Sequence, residues 1–237
     1  MSQRVGYDRE LQIEWLNDVV ELKIKEMSED EIKSAMKAKL ERALKKEGAR
    51  KTTLVLSNTW IKVPEEIRSI RDSGLLLYPK IADKDRIWLH WGMLIISYPF
   101  FRDIAEIAGN LQRVQDCVSM EHIIKRFIEK WGSRTTTRRA IGRVIRSMNW
   151  WGILNKTKSQ NTYSFTKKIS TLNSPLQIWL ISALIASNVN STMSVNEALN
   201  STILFPFKIT IGRSDLRAAK LFQFYREGSG IDVISIK

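Results

Sequence analysis

Apolar residues recur at helical spacing through the first part of the chain. One such stripe runs through residues 9–26 and consists of Leu11, Trp15, Val19 and Leu22. Ser28, followed by Glu31 three residues later, has the signature of a capping box and begins a second helix, which we expect to end at Gly48. Further helical patterns cover residues 52–61, 64–78 and 84–98. We therefore predict an all-helical domain over residues 1–96.

The next part of the chain combines helical patterns with a hairpin pattern. Apolar residues at helical spacing predict helices over residues 100–114, 119–131 and 134–148. Two runs with strand character follow, over residues 153–157 and 162–167, and they flank a polar tip, Lys158–Asn161. Residues 97–170 are thus predicted to contain three helices and then a β-hairpin.

The C-terminal part is compatible with a similar order of elements. Helical patterns cover residues 175–187, 195–199 and 213–220, and residues 205–211 alternate like a strand. Two further strand patterns, over residues 221–226 and 231–236, flank a Glu-Gly-Ser-Gly turn. We predict a C-terminal α+β module over residues 171–237, and the fold class of the whole chain is mainly α (α+β).

Charge is distributed very unevenly along the chain. The net charge is +13, yet residues 1–50 are balanced and residues 169–237 carry only +2. Residues 110–168 contain 13 basic side chains against 3 acidic ones and carry +10. Such a concentration of one sign of charge indicates a polyanionic partner. The low charge of the last 69 residues predicts a small contribution to that binding.

A helical wheel of residues 134–148 separates two faces. The apolar face holds Ile141, Val144, Ile145 and Met148 together with Thr137 and Ala140, and we expect this face to be packed. The opposite face holds Arg139, Arg143, Arg146, Thr135 and Thr136, with Arg138 at its border and no acidic residue. Arginines and hydroxyls on one helix face are suited to phosphates and to guanine edges in the major groove.

The hairpin extends this basic surface. Lys156, Lys158, Lys167 and Lys168 flank a tip that contains Gln160 and Asn161. We expect Trp150 and Trp151 to form a hydrophobic plug where the hairpin folds back. The predicted DNA-contacting residues are Arg134, Thr135, Thr136, Arg138, Arg139, Arg143, Arg146, Lys156, Lys158, Gln160, Asn161, Lys167 and Lys168.

Two stretches resemble known families. The run SRTTTRRAIGRVIRSMNWWGIL, Ser133–Leu154, with the hairpin after it, resembles the recognition helix and wing of bacterial winged helix-turn-helix proteins. The run LHWGMLIISYPFFRDIAEIAGNLQRVQ, Leu89–Gln115, is similar to proteins of prokaryotic phage-defence clusters, among them the small A protein of BREX phage-exclusion systems. The first resemblance implies a winged helix over residues 97–170 and a second, degenerate one after it. The second resemblance implies antiviral defence as the setting.

Catalytic and metal-binding patterns are missing from the sequence. It contains no phosphate-binding loop and no dinucleotide fingerprint, and its two histidines and one cysteine do not have metal-ligand spacing. The tail from Asp232 to Lys237 faintly resembles a nuclease core, but Ser235 stands where an acidic metal ligand is required. We therefore expect a protein that is not an enzyme, with neither cofactor nor metal.

Three functions remain open at this point. The first is a double-stranded DNA-binding protein that acts as a regulator or as the DNA-binding subunit of a larger complex. The second is an RNA-binding or scaffold protein with the same basic surface, and the third is a cryptic nuclease or another enzyme. The single cysteine and the charged N-terminus predict a cytoplasmic protein. We expect other protein subunits as partners and no membrane association.

Overall fold

A computed structural model of the chain describes residues 6–132, 135–227 and 231–237. The first six α-helices are α1 (Ile13–Ile24), α2 (Glu29–Leu40), α3 (Lys46–Trp60), α4 (Arg68–Leu77), α5 (Arg86–Ser97) and α6 (Pro99–Gln112). They are followed by β1 (Cys117–Ser119), α7 (Met120–Trp131), α8 (Thr135–Trp150), β2 (Leu154–Lys156) and β3 (Thr162–Phe165). The last elements are β4 (Ile169–Ser170), α9 (Ser174–Ala186), β5 (Thr192–Ser194), α10 (Val195–Leu199), β6 (Phe207–Lys208), α11 (Arg213–Ala218), β7 (Phe222–Glu227) and β8 (Ile231–Ile236). This part of the chain is mainly helical with three small sheets, which confirms the mainly α (α+β) expectation.

The chain divides into two compact units, and each unit combines two separate segments. Unit 1 comprises residues 1–64 and 110–167, and unit 2 comprises residues 65–109 and 168–237. Helix α6 belongs mostly to unit 2, and its last residues belong to unit 1. The division predicted from the sequence, into residues 1–96, 97–170 and 171–237, groups the chain by consecutive ranges and stays a prediction.

Unit 1 combines a helical part with a small antiparallel sheet. Helices α1, α2 and α3 pack against one another, and the predicted capping box of Ser28 and Glu31 begins α2. The sheet has the strand order β1–β3–β2, and helices α7 and α8 lie between β1 and β2 in the chain. Helix α8 packs against α7 and β2. The third helix of this region is therefore held by a helix on one side and by the hairpin on another.

Unit 2 is organised around helix α9, which packs against α4 and α5. Trp179 of α9 is buried, and its indole Nε1 donates a hydrogen bond to the carbonyl of Ile70, 2.9 Å away. The ring lies over Gly74 of α4 and Gly92 of α5, where any side chain would collide with it. Two sheets complete the unit: a parallel pair, β4–β6, and an antiparallel sheet in the order β5–β8–β7.

Several elements differ from the sequence-based prediction. Helix α2 ends at Leu40, and Gly48 lies inside α3 instead of ending a helix. The strand expected over residues 205–211 is reduced to Phe207–Lys208. Strands β1 and β5 were not predicted, because segments of three residues are too short to show an alternation. Within the described ranges, no helix has both the length and the apolar character needed to cross a bilayer.

Candidate nucleic-acid interface

Helix α8 has the two faces that the wheel predicts. Every residue assigned to its packed face is buried: Thr137, Ala140, Ile141, Val144, Ile145 and Met148. On the opposite face, Thr136, Arg139 and Arg146 are exposed, and Arg143 is half-buried. The apolar stripe therefore orients the helix, because burying it leaves only one face of α8 for other contacts.

The start of this face lies partly outside the described residues. Arg134, a predicted DNA contact, belongs to the part of the chain that the structure does not describe, as does Ser133, the predicted cap. Thr135 begins α8, but its side chain is not among the parts of the chain that the structure describes. The predicted roles of Arg134 and Thr135 stay predictions.

The hairpin is attached to both neighbouring helices. The backbone N–H of Lys156 donates to the side-chain Oδ1 of Asn149 on α8, at 3.0 Å. The N–H of Met120, at the start of α7, donates to the carbonyl of Asn161 at 2.9 Å. Asn161 has a φ of 54°, in the left-handed region that Asn tolerates better than most residues. Its place at the tip therefore has a structural reason in addition to the predicted DNA contact.

The N-terminal segment Tyr7–Leu11 packs against α8, a contact that the sequence analysis did not predict. The hydroxyl of the buried Ser147 accepts hydrogen bonds from the Tyr7 hydroxyl at 3.0 Å and from the Leu11 N–H at 2.9 Å. The same hydroxyl donates to the carbonyl of Arg143 at 2.9 Å. Tyr7 and Leu11 are fully buried. The Ser147 hydroxyl, which accepts two hydrogen bonds and donates one, thus fixes the segment to α8.

This segment brings two carboxylates to the basic face of α8. Arg143 donates a hydrogen bond to the carbonyl of Asp8 and lies 3.6 Å from its carboxylate. The carboxylate of Glu10 accepts from Arg146 Nε at 2.7 Å and from the Trp150 indole at 2.6 Å. The wheel shows no acidic residue on this face of α8, but in the folded chain two carboxylates lie against it. The acids come from a segment near the N-terminus, far from α8 in the sequence.

Within the part of the chain that the structure describes, partners are found for three of the four arginines on or beside this face. Burial, together with the charge of the neighbouring Arg9, lowers the pKa of Arg143, while Asp8 acts in the opposite direction. The guanidinium of Arg138 forms a bidentate ion pair with the carboxylate of Glu121 on α7. This pairing lowers the pKa of the Glu121 carboxyl. Both members of that pair are exposed, so the pair contributes little to stability.

Other cations of unit 1 are exposed and have no ion pair among the described residues. Arg139 on α8 and Lys156, Lys158 and Lys167 on or beside the hairpin were predicted from the sequence. Gln160 and Asn161 are exposed at the tip beside them. Lys125 and Arg126 of α7 belong to the same group but were not singled out, although they lie within the basic quarter of the chain. Lys168, by contrast, belongs to unit 2.

Trp150 corrects one expectation about the hairpin. The sequence predicts it in a hydrophobic plug, but 60% of its surface is exposed, and its indole is bonded to Glu10. Trp151 is half-buried and donates to the carbonyl of Leu11 at 3.0 Å. The turn from α8 into β2 depends instead on Gly152, whose φ of 69° suits glycine.

The described residues contain no group of three or more His, Cys, Asp or Glu arranged to hold a metal ion. Asp232, the carboxylate that a nuclease core would use, forms ion pairs with arginines in unit 2. Comparisons with models of known protein families, with curated proteins and with solved structures gave no match for this chain. The ligand of the interface is therefore inferred from its own side chains.

Proposed function

We propose that this protein binds double-stranded DNA without catalysing a reaction, through helix α8 and the β2–β3 hairpin of unit 1. The observation that carries the proposal is that unit 1 contains several exposed cations on α7, α8 and the hairpin that have no ion pair among the described residues. They comprise Arg139 on α8, Lys125 and Arg126 on α7, and Lys156, Lys158 and Lys167 at the hairpin. Phosphate contacts of this kind supply most of the affinity of a protein for duplex DNA.

The order of the elements supports the same proposal. In the chain, strand β1, helices α7 and α8 and the β2–β3 hairpin follow helix α6 in the order of a winged helix, although α6 belongs mostly to unit 2. In that arrangement the third helix enters the major groove. Helix α8 would take this place, with Arg139 and Thr136 on its exposed face. The setting that we propose, a prokaryotic phage-defence system, rests on the resemblance of Leu89–Gln115 alone.

The first test is a binding panel with duplex DNA, single-stranded DNA and structured RNA at several salt concentrations. With about six phosphates neutralised, log K for duplex DNA should fall against log salt with a slope of about −5. A slope of about −1 or shallower would contradict the proposal, since a few cations at most would then be engaged. Preference for structured RNA would favour the RNA-binding alternative.

The second test uses charge reversal on the proposed surface. Arg139→Glu combined with Lys158→Glu changes two exposed side chains that have no ion pair among the described residues. This double variant should lose duplex binding and keep its unfolding midpoint, because exposed substitutions usually change stability by under about 0.5 kcal/mol. The matched control is Lys25→Glu with Lys45→Glu, two exposed lysines next to α1 and α3. Equal loss of binding in both double variants would mean that only the total charge matters.

A further inference from the structure

A single carboxylate in the C-terminal sheet faces three arginines. Asp232 lies opposite Arg226 in the β7–β8 pairing, and only 9% of its side chain is exposed. It contacts Arg213, and it lies 4.0 Å from a terminal nitrogen of Arg217 and 3.9 Å from Nε of Arg226. The cluster thus joins the hairpin to helix α11, which carries Arg213 and Arg217.

One carboxylate cannot neutralise three guanidinium groups, which stay protonated in proteins. Among the described ion pairs, two positive charges are in excess, and they are open to solvent because the three arginine side chains are 49%, 53% and 80% exposed. The carboxylates of Glu197 in α10 and Asp215 in α11 form no ion pair with these arginines among the described residues. Asp215 accepts from the N–H of Gly212 at 2.7 Å, and Glu197 accepts from the Ser194 hydroxyl at 2.8 Å.

Two of the guanidinium groups have further positioning contacts. Arg213 contacts the Asp232 carboxylate directly, and the guanidinium of Arg217 lies 5.0 Å from the centre of the Phe224 ring. A planar guanidinium presents its N–H groups as a fork that matches two oxygens of a phosphate. Positioning by a buried acid and an aromatic ring reduces the side-chain entropy that binding would cost.

The place of these arginines repeats the plan of the basic region in unit 1. Apart from β6, which lies between α10 and α11, helices α9, α10 and α11 and strands β5, β7 and β8 follow one another in the order of α6, α7 and α8 with β1, β2 and β3. The two sheets have equivalent strand orders, β5–β8–β7 and β1–β3–β2. In both regions the third helix and the hairpin carry exposed cations.

We propose that Arg213, Arg217 and Arg226 bind the backbone phosphates of duplex DNA and form a second contact surface of the protein. This inference rests on the proposed function, because it assigns the same ligand to a second site. The net charge of +2 over residues 169–237 predicts little contribution to DNA binding. That sum conceals the cluster, because the fold gathers three of the six basic residues of this range around one acid.

The experiment compares the full-length chain with the variant Arg217→Gln/Arg226→Gln. Arg213, which contacts Asp232 most closely, stays in place so that this carboxylate keeps a partner. We expect duplex DNA affinity to fall about ten-fold and the salt slope to become shallower by about 2, one for each phosphate that is no longer neutralised. The control Lys208→Gln/Lys237→Gln removes the same charge from two exposed lysines of unit 2 outside the cluster. It should retain the slope of the unmodified chain.

The outcomes separate the two proposals. If the unmodified chain binds duplex DNA with a steep slope and the arginine variant, folded by its unfolding midpoint, behaves identically, the second surface is refuted and the first proposal stands. If the control loses as much affinity as the arginine variant, the cluster has no special role, which also refutes the inference. If the unmodified chain does not bind duplex DNA, both proposals fall, and binding of an acidic protein becomes the next hypothesis for the cluster.

Discussion

At the scale of single residues, the contact between the N-terminal segment and α8 determines which cations of the helix would be open to a phosphate in the proposed complex. The Glu10 carboxylate binds Nε of Arg146, and the Asp8 carboxylate lies 3.6 Å from a terminal nitrogen of Arg143. Both carboxylates occupy positions on guanidiniums where phosphate oxygens would otherwise bind. Because Tyr7 and Leu11 are buried, the segment stays on the helix, and in the proposed complex its acids would compete with DNA phosphates for α8.

Neutralising these two acids should therefore strengthen DNA binding. In Asp8→Asn/Glu10→Gln, the carbonyl of Asp8 and the bonds to Ser147 remain, so the segment should keep its position. We expect duplex affinity to rise about three- to ten-fold and the salt slope to steepen by up to about 2. The control Glu26→Gln/Asp30→Asn removes two exposed acids from elsewhere in unit 1. Titration of both variants with one duplex decides the point, and an equal gain in both would exclude a local effect of Asp8 and Glu10.

The burial of His90 predicts that the stability of unit 2 depends on pH. The ring is buried in α5, 6.3 Å from the Tyr78 ring, and burial with the charge of Arg86 lowers the pKa of His90 to about 3. In the unfolded chain a histidine titrates near pH 6.5, so below that pH the unfolded state takes up a proton that the folded state refuses. The free energy of unfolding should thus fall by roughly 2 kcal/mol between about pH 7 and about pH 5.

Denaturant titrations of His90→Gln at the same two pH values test this, because that variant should lose most of the pH dependence. His122→Gln, which changes the exposed histidine of α7, serves as the control and should behave like the unmodified chain. A pH dependence that survives in His90→Gln would mean that carboxylates, and not the buried imidazole, are responsible.

At the scale of elements, local periodicity predicts which face of a helix is buried, but it does not predict what covers the other face. The apolar stripe of α8 contains enough residues for the wheel to assign its packed face correctly, from Thr137 to Met148. The partners of Arg143 and Arg146 could not be predicted, because Asp8 and Glu10 lie far away in the sequence. Nothing in the balanced charge of residues 1–50 distinguishes those two acids.

The packing of α9 on α5 depends on the absence of a side chain at position 92. A Cβ at Gly92 would lie 2.8 Å from Cη2 of the buried Trp179, so the ring or a helix must shift. Gly92→Ala should lower the free energy of unfolding by about 1–3 kcal/mol, despite the better helix propensity of alanine. Gly48→Ala is the matched control in α3, where the nearest atom is 3.7 Å away, and it should raise stability by up to about 1 kcal/mol. Urea denaturation distinguishes the two, and a gain in both variants would contradict the close packing.

At the scale of the whole molecule, the two units do not follow the order of the chain, because each unit combines two segments that are separate in the sequence. Unit 2 takes α4 and α5 from the middle of the chain and α9 from the last third. The sequence suggests a C-terminal module that begins at residue 171, because the helix pattern of residues 175–187 follows a basic hairpin. The close approach of Trp179 to Gly92 shows that the core of unit 2 includes residues from both of its segments.

Removing the chain after Leu172 should consequently unfold the rest of unit 2. The shortened chain lacks α9, so the apolar face of α5 that packs on it would be open to water. Trp88 and Trp91 of α5, which are fully buried, would become solvated, and tryptophan emission should shift to longer wavelength. Limited proteolysis should then cut within residues 65–109, while the full chain resists under the same conditions. A shortened chain that keeps the emission maximum and the protease resistance of the full chain would show that α4 and α5 fold without α9, in contradiction to the packing described for unit 2.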